Sequence, residues 1–311
     1  RAFSMKKWLL AFLLLATLLF LLLFPVPALA ASRRGLNLWF GTLVPTLLPF
    51  LILSGFLIHT GLVHIPASLL APVFGRLFGV SPLGSYACFI GFLCGFPMGA
   101  KVLADLTRNG RMDPEEASYL LGFINNVSPS FVITFLVTES LERPDLLLPT
   151  LLLLYGTAIL YGLFTRPGLF HRKTPAFSGI KNASVVQIRF ELLDACIYDA
   201  VNTLLKLGGY VVLFSVLAEM TACLPFLPEK TAALLGGMLE ITSGISGVVK
   251  TFPLKTAYQF LIPLTAFGGL SAMAQTSSVL KGSGLSLKKY VFSKVVTAAL
   301  TFLFVSFFLW S

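Results

Sequence analysis

Apolar runs of two kinds alternate along this chain. Plain runs occupy residues 8–24, 38–60, 146–164, 199–220 and 290–310, near the length that an α-helix needs to cross a bilayer core of about 30 Å. The other runs carry helix breakers and polar groups where a plain membrane helix would carry Leu and Val. Residues 91–101 read Gly-Phe-Leu-Cys-Gly-Phe-Pro-Met-Gly-Ala-Lys, and residues 125–130 read Asn-Asn-Val-Ser-Pro-Ser. Residues 236–250 mix glycines with Glu240, Thr242, Ser243, Gly244, Ser246 and Gly247, and residues 267–278 start from Gly268-Gly269 and end in Gln-Thr-Ser-Ser. Both halves share one order: plain helix, broken segment, broken segment, plain helix. Irregular backbone at membrane depth is tolerated only inside protein or around a wet cavity. Breaks in matching positions of two halves point to a transporter binding site.

Composition places these runs in a membrane. Hydrophobic residues make up 56% of the chain, charged residues 12%, and mean hydropathy is +0.88, whereas soluble domains are about 25% charged. The predicted fold class is all-α integral membrane: polytopic, with two inverted repeats, re-entrant helical hairpins and broken helices. Residues 1–34 read as a signal-anchor-like transmembrane helix, retained although Ala28-Leu29-Ala30 resembles a cleavage site. Residues 35–165 are the first repeat, 166–198 a cytoplasmic linker and 199–311 the second repeat. Residues 61–80, with their prolines and glycines, read as an interfacial linker, and Asp113-Pro114 as a helix start.

The net charge of +10 serves orientation rather than nucleic acid, because cytoplasmic loops of membrane proteins are rich in Lys and Arg. If every segment spans, nine of these residues lie inside and twelve outside, leaving aside Lys206 and Lys294 within segments. If residues 83–104 and 231–249 enter and leave on one side, the split becomes fifteen inside and six outside. The second arrangement obeys the positive-inside rule. It also gives each repeat three true spans, so the second copy is inverted.

Cys88, Cys94, Cys196 and Cys223 have no metal-ligand spacing and read as small buried residues. The three histidines are scattered, and no Ser-His-Asp or His-Glu-x-x-His pattern is present. No enzyme, cofactor or metal is expected, and the predicted partners are the lipid bilayer and a small-molecule anion, the substrate of a transporter working by alternating access. The sequence leaves a homo-oligomer open.

The candidate site residues cluster at the breaks. Gly91, Gly95 and Gly99 recur every four residues, which suits close helix packing. Gly95, Phe96, Pro97 and Gly99 also suit a hairpin tip whose free amides favour an anion. Lys101 is either a substrate counter-charge or a side chain snorkelling to the interface. Asn125, Asn126, Ser128 and Ser130 surround Pro129, either joining helices by hydrogen bonds or presenting an unwound stretch to a polar ligand. Their second-half counterparts are Ser243, Gly244 and Ser246, then Gly269, Ser271, Gln275 and Thr276. Glu240, an acid at membrane depth, is a candidate coupling group. Lys206 and Lys294 read as interfacial or as partners of acids.

At these residues the chain resembles a known family. Gly95-Phe-Pro-Met-Gly-Ala-Lys101, Asn125-Asn-Val-Ser-Pro129 and Gly268-Gly-Leu-Ser271 with Gln275 are similar to the YlbJ or stage V sporulation protein V family over residues 35–305. That family carries the nucleoside-recognition "gate" domain twice. The resemblance implies export of dipicolinic acid from mother cell toward forespore, across the outer forespore membrane. It also implies likeness to part of the concentrative nucleoside transporters. The alternatives it leaves are a transporter of nucleosides or related solutes, and a spore-maturation factor that transports nothing.

Overall fold

The computed structural model describes residues 2–166 and 190–310, and every regular element among them is helical. Helix α1 (Ala2–Leu23) and α2 (Pro25–Leu38) meet at Phe24–Pro25. From Pro25 the helix continues through a π-turn (Trp39–Leu43) into α3 (Val44–Thr60), with no break near residue 34. Helices α4 (His64–Phe78) and α5 (Pro82–Cys94) are bent by 87° to each other. Then follow α6 (Met98–Arg108), α7 (Pro114–Ile124) and α8 (Pro129–Phe131), which continues as a π-helix through Ser140. Helix α9 (Leu147–Phe164) closes the first half. The second half comprises α10 (Phe190–Ala222), α11 (Glu229–Leu239), α12 (Ile241–Thr251), α13 (Leu254–Phe267), α14 (Gly269–Leu280) and α15 (Leu287–Trp310).

Among the described residues, six helical stretches are long and apolar enough to cross a membrane, seven if the bent α4–α5 pair is one span. The protein is an all-helical, polytopic integral membrane protein. Leu and Phe side chains stand exposed along α1, α4, α9, α10 and α15, as lipid contact requires. The predicted linker at 61–80 is instead largely the 15-residue helix α4. Pro66 falls in its first turn, where no amide hydrogen bond is lost, and the helix accommodates Pro72 inside. Ile65, Leu69 and Val73 face outward while Ala67 is buried. The expected Asp113 cap is present: its carboxylate accepts from the Glu115 amide at 3.0 Å. Most of the predicted linker at 166–198 lies outside the described residues, and α10 already begins at Phe190. All four cysteines are unpaired thiols, with Cys88 and Cys196 buried.

Two helical hairpins position the interior. At about 1.5 Å per residue, α5 and α6 are near 20 Å and 16 Å long, too short to span alone. In one straight helix Gly91 and Gly99 would lie about 12 Å apart. Here a Cβ on Gly99 would come 3.1 Å from the Gly91 Cα, so the chain folds back on itself. Helices α11 and α12 do the same, and a Cβ on Gly244 would overlap the Gly237 backbone. Small residues permit this approach.

The two halves interleave. One buried apolar cluster joins α3 to α7 with Leu204 and Leu207 of α10, Met273 of α14 and Tyr290 of α15. The other joins α12 and α13 with Leu136 and Val137 of the π-helix, Leu154 of α9 and Val305 of α15.

Candidate functional site: four helix breaks that meet

The first break is residues 95–97, between α5 and α6. Gly95 takes φ +82°, ψ −178°, a conformation essentially confined to glycine. A Cβ there would also come 2.7 Å from the Ser128 amide nitrogen. The second break, residues 125–128, therefore lies against the first. The Phe96 amide donates to the Asn126 carbonyl at 2.5 Å, joining them by backbone.

Asn125 is fully buried, and its side chain takes the place of missing helix bonds. Its Oδ1 accepts from the Ala100 amide in the first turn of α6 at 3.3 Å. Its Nδ2 donates to Thr276 Oγ1 of α14 and to Tyr290 Oη of α15, each at 3.0 Å. One amide thus ties three elements from both halves. Asn126 Nδ2 donates to the Phe123 carbonyl at 2.5 Å, and the Val127 carbonyl accepts from Tyr155 Oη at 2.8 Å. Ser128 caps α8 by accepting from the Phe131 amide at 3.2 Å, with Pro129 at the first helical position. Backbone groups freed by the break find partners, as burial demands.

The third break is at Glu240. Its backbone is extended, and its carboxylate accepts from the Thr242 and Ser243 amides at 3.1 and 2.8 Å and from the Thr242 hydroxyl. The buried charge is thereby placed on the positive end of α12. The fourth break is Gly268–Gly269, between α13 and α14. A Cβ on Gly269 would come 3.3 Å from the Leu239 carbonyl oxygen and 3.5 Å from the Ile241 amide, against the third break. A Cβ on Gly268 would come 3.4 Å from the Phe96 ring, against the first. The four breaks form one continuous cluster.

Most of the predicted site residues belong to this cluster or line the helices leading from it. Gly95, Phe96, Asn125, Asn126, Ser128, Gly269 and Thr276 are joined by the contacts above. Pro97 caps the start of α6. Gly99 and Gly244 hold the two hairpins shut, and Ser243 donates its amide to Glu240. Ser271 and Gln275 are buried one turn apart on α14, the amide donating to the hydroxyl at 3.0 Å. Ser130 bonds Ser128 at 3.1 Å but is exposed, and Ser246 lies on the outer face of α12. Lys101 turns toward α10: its ammonium is 3.0 Å from Asp105 and 2.7 Å from Asp199. Arg108 joins Asp105 at 2.7 Å. The Lys101 charge is thus matched by carboxylates rather than facing the breaks. Among the described residues, no three His, Cys, Asp or Glu come together to hold a metal.

One helix escaped the sequence reading. On α15, Tyr290, Ser293, Lys294, Thr297 and Thr301 are all buried, at the 3–4–7–11 spacing of one helix face. In a membrane helix, a polar stripe facing inward is the signal that marks a functional face. Thr301 meets Thr157 of α9 at 2.9 Å. Lys294 is buried, and among the described residues no acid is joined to it. Its ammonium donates to Asn126 Oδ1 at 2.8 Å and to the Ala266 carbonyl at 3.3 Å, with 2% of its surface exposed.

Residues 40–140, from the first plain helix through both first-half breaks, match the family described as Gate, nucleoside recognition. The chain is 27% identical over 315 residues to the sporulation integral membrane protein YlbJ of Bacillus subtilis (strain 168), covering 90% of this chain and 77% of that protein. The chain is a homologue of YlbJ. It is thus a Gate-domain membrane protein related to a sporulation protein. No solved structure matches it.

Proposed function

We propose that this YlbJ homologue is a membrane transporter of a small organic anion, working by alternating access between two inverted repeats, and that it is not an enzyme. The observation that carries this reading is the meeting of four helix breaks, two from each half, in a buried polar cluster. Secondary transporters place their sites at such junctions of discontinuous helices.

The contacts support a pseudo-two-fold relation between residues 35–165 and 199–311. Helix α6 touches α14, and its counterpart α12 touches the π-helix after α8; α7 touches α15, and α9 touches α13. The hairpins α5–α6 and α11–α12 are then re-entrant, the arrangement that puts most Lys and Arg on the cytoplasmic side. Helix N-termini at the breaks suit carboxylates. The relationship to a sporulation protein makes dipicolinate, a planar dicarboxylate, the first substrate to try and the outer forespore membrane the first place to look. The Gate description favours a nucleoside as the second reading.

The test is flux of radiolabelled dipicolinate into proteoliposomes, with a nucleoside in a parallel run. Saturable dipicolinate flux, lost in Asn126→Ala while the variant still inserts and stays monodisperse, is the expected result. Nucleoside flux alone would transfer the fold to the second substrate. No flux of either from folded protein would favour a spore-maturation role without transport.

A further inference from the structure

Lys294 is the most deeply buried cation among the described residues, and it lacks an acid. Arg34, Lys101, Arg108 and Arg143 each meet a carboxylate, whereas no carboxylate lies within 4.0 Å of the Lys294 nitrogen among the described residues. Its two acceptors are neutral oxygens, and its other neighbour is the face of Tyr290, 5.8 Å from the ring centroid. A buried charge matched only by neutral oxygens is costly, and ionisable groups inside a membrane mark pathways by default.

Its position is specific. Asn126 lies in the first-half break, and Ala266 lies in the last turn of α13, just before the second-half break. The helix after each begins two residues on: α8 is capped at Ser128 and α14 at Gly268. Three of the four N-termini at the breaks already have side-chain acceptors, Asn125 for α6, the Ser128 hydroxyl for α8 and Glu240 for α12, whereas α14 has none. The Lys294 ammonium therefore joins the first-half break to the last turn before α14, whose N-terminus has no side-chain cap, with no carboxylate within 4.0 Å of it among the described residues.

We propose that Lys294 is the counter-charge of the transported anion, a carboxylate replacing Asn126 Oδ1 as its acceptor and bridging the two halves. This rests on the anion-transport reading above. A competing role is purely structural, because a cation also favours the C-terminal end of α13.

Dipicolinate, the monocarboxylate picolinate and neutral picolinamide should be titrated against purified wild type, Lys294→Met, Lys294→Gln and Lys294→Arg. Losing one charge-assisted hydrogen bond should weaken dipicolinate by roughly 10- to 100-fold in the Met and Gln variants. Lys294→Arg should keep binding within about threefold and picolinamide should bind equally to all four, as a uniformly charged acceptor predicts. Dipicolinate affinity unchanged in either neutral variant would overturn the counter-charge and leave the transport reading standing. Equal losses for charged and neutral ligands would show a structural lysine. If the Met variant fails to fold, the Gln variant, which keeps a donor, decides. Wild type that binds neither acid would overturn the anion reading itself, and this proposal with it.

Discussion

Replacing Gly95 by Ala tests the junction of the breaks most directly. Two costs arise at once. The new Cβ must adopt φ +82°, ψ −178°, a strain of about 1–3 kcal/mol. It must also come within 2.7 Å of the Ser128 amide nitrogen and 3.0 Å of the Ser128 Cβ. Neither neighbour is the end of a flexible side chain, so the break itself must move, at the ~1–3 kcal/mol typical of overpacking. Reduced freedom of the unfolded chain returns about 0.4–1 kcal/mol. The net expectation is a loss of about 1–5.6 kcal/mol. Gly110 supplies the internal control: its φ is +63°, but no atom lies within 4 Å of the Cβ it would gain. Gly110→Ala carries the left-handed strain alone, about 1–2 kcal/mol before the same offset. Both variants should be unfolded in mixed micelles with increasing SDS and followed by circular dichroism. If Gly95→Ala loses no more than Gly110→Ala, the first two breaks are not in tight contact, and the cluster as described is wrong.

Three further experiments probe the same interior. Gly244→Leu should prevent the second hairpin from closing on Gly237 and give little folded protein on size-exclusion chromatography, whereas Gly209→Leu, with open space around it, should purify like wild type. Asn125→Ala removes three buried hydrogen bonds and strands the Ala100 amide, so a loss of about 1–3 kcal/mol is expected in the SDS titration; a loss under ~0.5 kcal/mol would mean water replaces the amide. A double-mutant cycle of Thr157→Val and Thr301→Val should give a coupling of about 0.6 kcal/mol, and zero coupling would place no working bond between α9 and α15.

Much of this was legible in the residues. Three of the four breaks could be located, because Gly95, Pro97, Pro129 and Gly268-Gly269 interrupt apolar runs by their own backbone chemistry, whereas the third, at Glu240, was confined only to the glycine-rich run 236–250. The Asp113-Pro114 helix start and the membrane location were equally local matters of capping and composition. Residues 61–80 misled because prolines suggest a linker, yet Pro66 costs nothing in a first turn.

What depended on tertiary structure was the partnership of residues. Spacing alone left Lys101 open as a counter-charge, and only the fold brings Asp199, nearly a hundred positions away, to its ammonium. Lys294 and Tyr290 lie in a run that reads as an ordinary span, and their importance comes from Asn125, Asn126 and Ala266 arriving from other helices. Helix periodicity states which residues share a face. Which faces meet is decided by packing between halves, where the hairpins α5–α6 and α11–α12 fold back, and single-chain spacing carries no record of that.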